Sequence, residues 1–228
     1  MPTGLRQTVL EIVNRVERKL GLNASSALTS TRKSRELLDM LNEVIEEISD
    51  AGDWQEMYRE AVVSATSSVA EYEVAVSGLV KNVQEISWDG DTSPLNPVDP
   101  QDIRRFNRIS NFGTPRHFAI VGVNVSSGNP NFRVHPVPTT AANFSVAYFQ
   151  KPDLYTVSAA SDTVSFPANL VFMGLYAKAM LHENGGEATG EYQATMAEYL
   201  RSRRESLNRY NADTGTDVYF VPTNSGRR

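Results

Sequence analysis

The 228-residue chain contains no cysteine. That excludes a disulfide framework and any thiolate metal site, and it fits a reducing compartment. Histidine is scarce as well: His117, His135 and His182 are the only three. A histidine-based metal site would have to recruit carboxylates from distant segments, so no metal and no cofactor is expected. No run approaches the roughly 18 consecutive apolar residues of a membrane span, and the start lacks the apolar core of a signal peptide. Basic charge is not in excess either, the formal net charge being −5. A protein that grips nucleic acid over its whole surface would be basic. The expectation is a soluble protein of the cytoplasm. What the chain does have is an ordinary globular composition, 40% hydrophobic and 21% charged, enough to fill a core.

The order of its patterns is helices, strands, helices, tail. Leu5, Val9, Ile12, Val13, Val16 and Leu20 recur in steps of three and four and predict an amphipathic helix over Leu5–Leu20, with Gly21 placed to cap it. Leu37, Leu38, Leu41, Val44, Ile45 and Ile48 predict a second, starting near Thr31 or Ser34 and stopped by Gly52. Strand signals follow at 54–65, 69–76, 79–88, 116–125, 132–137 and 144–150. In the second of these Tyr72, Val74 and Val76 share the dry face and Glu71 and Glu73 the wet one. Asp89-Gly90-Asp91 signals a turn, and Asp99 is placed to cap a short helix to Phe106. Phe166-Pro167 opens an apolar helix to about His182, and a last helix runs from about Glu187 to Tyr210. Each helical stripe alone is too short to be stable in water. The first and last parts must meet. The fold class is therefore α+β: N- and C-terminal helices forming a bundle, an inserted antiparallel β domain, and an extended tail. The boundaries read 1–53, 54–165, 166–211 and 212–228.

No constellation of residues points to catalysis. Glu46 and Glu47 are neighbours on a helix and do not face each other. The acidic turn at Asp89, Asp91 and Asp99 lacks the ligand ladder of a calcium loop. No nucleophile elbow and no phosphate-binding glycine loop is present. Trp54, Trp88, Phe112 and Phe118 invite comparison with a stacking platform, but in a strand-rich block aromatics serve as core and cross-strand pairs. Arg201, Arg203, Arg204 and Arg209 gather toward the end of the last helix, joined by Arg227 and Arg228. They read either as complements to the helix dipole or as a local contact for DNA or an acidic protein surface. Beyond Asn211 a linker-like stretch leads to Val218, Tyr219, Phe220 and Val221, whose types suit an added strand.

Several segments in order resemble the head-to-tail adaptor proteins of tailed bacteriophages, the group that includes tail tubular protein A. The carriers are Ile48 to Trp54, Val83 to Gly90, Asp102 to Arg108, Gly113 to Phe118, His135 to Pro138, Val146 to Pro152, and Phe166-Pro167. The resemblance implies a non-enzymatic virion protein at the head–tail junction, assembled in the host cytoplasm. It implies a homo-oligomeric ring, a dodecamer, docked under the portal, with a tail or nozzle protein below. Double-stranded DNA would pass through its lumen without being read. The tail carrying Val218–Val221 would dock on the portal; a disordered terminus and a strand folded back on the β block are the alternatives for that segment. The alternative for the whole chain is a carbohydrate- or ligand-binding module, or a hydrolase of the tail whose site sequence does not reveal.

Overall fold

The computed structural model describes residues 7–89, 93–106, 108 and 111–214. Five helices and seven strands follow one another as α1 (Val9–Lys19), α2 (Arg32–Asp50), β1 (Tyr58–Ala65), β2 (Glu71–Glu73), β3 (Val80–Trp88), β4 (Asn96–Pro97), α3 (Pro100–Phe106), β5 (His117–Val123), β6 (Pro130–His135), β7 (Ala142–Gln150), α4 (Ala168–Glu183) and α5 (Gly190–Thr214). The class is α+β, with helices at both ends and sheets between. Two compact units result, Met1–Val44 with Ala160–Arg228, and Ile45–Ala159. The division falls inside α2.

The helical unit is built around α4. This helix is apolar on all sides and buries Leu170, Val171, Phe172, Met173, Leu175, Ala177 and Met180, the pattern of a helix surrounded by others. α1 packs on one side of it and α5 on another. α1 begins at Val9, later than its apolar pattern implies, because Thr8 is its cap. Glu11 N–H donates to Thr8 Oγ1 at 3.2 Å, and Thr8 N–H donates to Glu11 Oε2 at 2.8 Å, a reciprocal capping box. Leu5 lies outside the described residues. α1 buries Val9, Ile12, Val13 and Val16 and ends at Lys19, with Leu20 as its cap and Gly21 just beyond at φ +75°. Asp162 to Val164 pairs with Gln7 to Val9 through Val9 N–H to Asp162 O (2.9 Å) and Val164 N–H to Gln7 O (3.2 Å). Thr31 caps α2, accepting from Ser34 N–H at 3.0 Å. α5 starts at Gly190 rather than Glu187 because Thr189 is the cap, accepting from Tyr192 N–H at 3.2 Å. It continues to Thr214, so Asn211 to Thr214 are helical and not linker.

The strand unit is a sandwich of two sheets. One is three-stranded in the order β1-β7-β3; the other is four-stranded in the order β2-β6-β5-β4. Both contribute to one core. Ala65, Ile86, Phe144, Val146 and Tyr148 come from the first sheet and Tyr72, Phe118, Phe132 and Val134 from the second. Phe144 is its centre, with ring centroids 5.0 Å from Tyr72, 4.9 Å from Trp88 and 5.3 Å from Phe132, all edge-on. Tyr72 and Val74 are buried and Glu71 is exposed, as the alternation predicts.

Several boundaries move, each for a local reason. Residues 55–57 form a single 3-10 turn before β1, with Trp54 turned inward to donate from Nε1 to Ile48 O at 2.7 Å. β2 shrinks to Glu71–Glu73. β6 stops at His135, since Pro136 has no N–H to continue a ladder. The strand pairings are antiparallel as expected, with one local exception: the two-residue β4, hidden in the proline-rich stretch, pairs parallel to β5. α3 starts at Pro100, with Asp99 Oδ1 accepting from Gln101 N–H at 2.7 Å. Gly90 and Asp91 of the acidic turn lie outside the described residues.

Candidate interaction surface

The arginines of α5 do not form one patch. At 100° per residue, Arg201, Arg204 and Arg209 fall within about 140° of one another and are exposed. Arg203 points the other way, with its guanidinium carbon 5.5 Å from the Tyr199 ring centroid, a cation–π contact at helical spacing. Glu198 and Glu205 share the sector of the exposed arginines, and Arg201 Nε approaches Glu205 Oε1 at 3.9 Å. The surface is therefore a mixed-sign stripe.

Its relation to the helix end also differs from the dipole reading. With α5 continuing to Thr214, no basic residue lies in its last turn. The dipole acts over roughly one terminal turn, so it does not account for Arg201 or Arg204, about three turns from the end.

α5 is thinly packed for its length. At 1.5 Å per residue its 25 residues span about 37 Å. Tyr199 is its one fully buried side chain among those described, and Leu200 is 43% exposed. Tyr192, Met196, Leu207 and neighbouring positions are half-buried in a stripe at steps of three and four. A helix of this kind lies on its own unit along one line and leaves most of its surface open. The sequence gives no sign of this openness, because buried and half-buried stripes share one period.

Trp54, Trp88, Phe112 and Phe118 form no shared stacking platform, in keeping with the reading of strand-block aromatics as core and cross-strand pairs. Trp54 and Phe118 are buried, Trp88 packs edge-on against Phe144, and Phe112 stands alone at 53% exposure. The two histidines of the strand unit instead meet each other. His117 and His135 are register partners across β5 and β6. The Phe106 ring lies 5.9 Å from the first and 5.3 Å from the second. Burial first, and His117 second, hold the His135 pKa below the usual histidine value. No sequence motif announced this pair, because the partners are joined by register alone. No group of three or more metal-ligating side chains occurs among the described residues. None of the described helices is long and apolar enough to cross a membrane. Val218, Tyr219, Phe220, Val221, Arg227 and Arg228 lie outside the described residues.

A second unforeseen feature is a buried polar chain in the helical unit. Glu17, 1% exposed, accepts both from Ser25 N–H and from Ser25 Oγ at 2.7 Å. Ser25 Oγ in turn lies 2.7 Å from Ser34 Oγ, which lies 2.6 Å from Thr31 Oγ1. The chain ties α1 to the cap of α2 and is structural in character.

No curated protein matches the chain. The family model described as SU10 adaptor protein matches residues 7–226, spanning both units and all the described elements. The thinly packed α5, the mixed charge and the two-unit fold thus belong to a member of the SU10 adaptor protein family.

Proposed function

We propose that the chain is a structural subunit of a tailed-phage virion that forms a ring between portal and tail and lets DNA pass through its lumen. The observation that carries this reading is the family match over residues 7–226. The open face of α5 supports it, since a long helix with one fully buried side chain among those described suits contacts with neighbours around a ring. The charge supports the conduit. With a net charge of −5 and arginines interleaved with glutamates on α5, phosphate would be held weakly and DNA would slide. A dodecamer, likeness to tail tubular protein A, a portal above, a tail or nozzle protein below, and assembly in the host cytoplasm complete the proposal. In it Arg201, Arg204 and Arg209 make the only DNA or acidic-surface contact from α5, Arg203 being occupied by Tyr199. The segment beyond Thr214 serves as a docking tail, whether its acceptor is the portal or a neighbouring subunit.

The test is the mass and shape of the untagged protein, alone and mixed with its portal, by light scattering and electron microscopy. A closed ring that stacks coaxially on the portal is expected. A monomer in both samples would overturn the reading. No observation favours a sugar-binding or hydrolytic role.

A further inference from the structure

The two sheets of the strand unit have four edges, and three of them are blunted. β2 is three residues long, and β4 is two residues long and carries Pro97. β3 has register breaks between Val80 and Asn82 and between Val83 and Glu85. Its Lys81 is tied to the carbonyls of Ser49 and Gly52 at 2.7 and 2.6 Å, and a bridge from Ser87 to Pro94 covers its end. Short strands, proline, bulges and charge are the means by which natural sheets keep edges from pairing with other chains.

β1 is not short, bulged or broken by proline, and its charges, Arg59 and Glu60, are confined to its first three residues, with Arg59 Nη1 donating to the carbonyls of Glu56 and Tyr58. It is eight residues long and in unbroken register with β7 from Tyr58↔Phe149 to Ala65↔Ala142. It contains no proline, glycine or lysine. Among the described residues its other side has no strand partner. Its outward face carries Glu60, Val62 and Ser64, all exposed, with Val62 at 69%. A long, flat, partly apolar edge is the kind that pairs with an added strand.

We propose that the edge of β1 is a strand-acceptor site and that its occupant is the segment Asp217–Val221 of a neighbouring copy. This rests on the ring reading above. Asp217-Val218-Tyr219-Phe220-Val221 combines β-branched and aromatic residues, and Pro222 ends its capacity to donate to a ladder. The 14 residues beyond Thr214 reach up to about 46 Å when extended, and they leave from the end of the long open helix α5. Main-chain hydrogen bonds would supply affinity, and burial of Val62 under an aromatic side chain would set register. The exchange is heterologous, tail of one copy to sheet of the next, and a heterologous contact that closes makes a ring.

The absence of cysteine makes the test clean. Single variants Glu60→Cys, Val62→Cys and Ser64→Cys are mixed pairwise with differently tagged Tyr219→Cys, Phe220→Cys and Val221→Cys chains and oxidised. Paired strands hold opposed residues within disulfide range. A bond between two different single-thiol chains is expected in at least one combination. A bond that forms only when both thiols are on one chain, or no bond in any combination, overturns the proposal. Truncation before Asp217 is expected to abolish self-association without portal present. Retained self-association with loss of portal binding alone would assign the tail to the portal and remove β1 as its acceptor. Light scattering on the unmodified chain separates the two failures. A ring without cross-links defeats only the β1 site, whereas a monomer with and without portal defeats the ring reading.

Discussion

Gly174 of α4 lies against the ring of Tyr199 on α5: a Cβ built on Gly174 would stand 2.9 Å from Tyr199 Cε2 and 2.7 Å from Val44 Cγ1. Both distances are closer than real Cβ atoms come, so glycine sets the approach of α5 to α4 at Tyr199, the one residue of α5 fully buried among those described. Gly174→Ala should destabilise the helical unit by about 1–3 kcal/mol, the usual cost of overpacking. Chemical denaturation measures it. Adding Val44→Ala should recover part of the loss; no recovery would mean that Tyr199 alone bears the clash.

Glu17 sits in the interior with two hydrogen bonds from Ser25. Glu17→Ala strips the Ser25 hydroxyl of an acceptor and should cost about 1–3 kcal/mol. Ser25 N–H keeps Asn14 Oδ1 at 2.8 Å, so the loss should stay short of unfolding. Thermal melts of Glu17→Ala and Ser25→Ala check this, and the double variant should lose less than the sum, because the two share one interaction.

Leu41 and Leu175 are both 0% exposed. Leu41→Asp and Leu175→Asp should each lower stability by several kcal/mol, since a carboxylate there has neither water nor a partner. An unchanged melting temperature in either would show that the stripe it belongs to is not part of the helical core.

His135 provides a pH dependence. Its pKa is lowered by burial and by the facing His117. As pH falls, the unfolded chain therefore takes up the proton first. The stabilisation from neutral His135 is complete above the unfolded value of about 6.5 and is lost as pH falls through the folded one. Melting temperature should drop on acidification through that window. His135→Gln should flatten the drop, and an equal slope in both proteins would place the effect elsewhere.

DNA contact should be weak and independent of sequence. Fluorescence anisotropy with duplex DNA should give a Kd no tighter than about 10⁻⁴–10⁻⁶ M at physiological salt, weakening further as salt rises. Replacing Arg201, Arg204 and Arg209 by Ala together should reduce the salt dependence, whereas Arg203→Ala should act on stability through the Tyr199 ring. Tight, sequence-selective binding would contradict the conduit.

The helices were legible because their apolar residues recur with one period: Val9, Ile12, Val13, Val16, Leu37, Leu41, Val44 and Ile45 are all 0% exposed. Their first residues were less so, since Thr8, Thr31 and Thr189 set them through single hydrogen bonds that no periodicity reports. Asn211 to Thr214 read as linker from composition, yet a helix already nucleated propagates through such residues at small cost. β4 was invisible because two residues, one a proline, carry no alternation. Of the candidate surface, the spacing of the arginines was plain. That Arg203 belongs to Tyr199 follows from an i,i+4 step, and was missed by reading the four as a cluster. The shallow burial of α5 had no signature, because half-buried and buried stripes share the same period.

The placement of β7 has a consequence for how the chain is made. β7 is the middle strand of its sheet, and both β1 and β3 have it as their strand partner. On a ribosome β1 leaves the exit tunnel dozens of residues before Ala142–Gln150 does, and in the interval it has no ladder to join. α1 waits likewise for Ala168–Glu183. Neither unit can close until its late segment is synthesised, and pairing over such separations is slow. The nascent N-terminal part is thus exposed during translation, and slowing elongation downstream of β1 should lower the soluble yield.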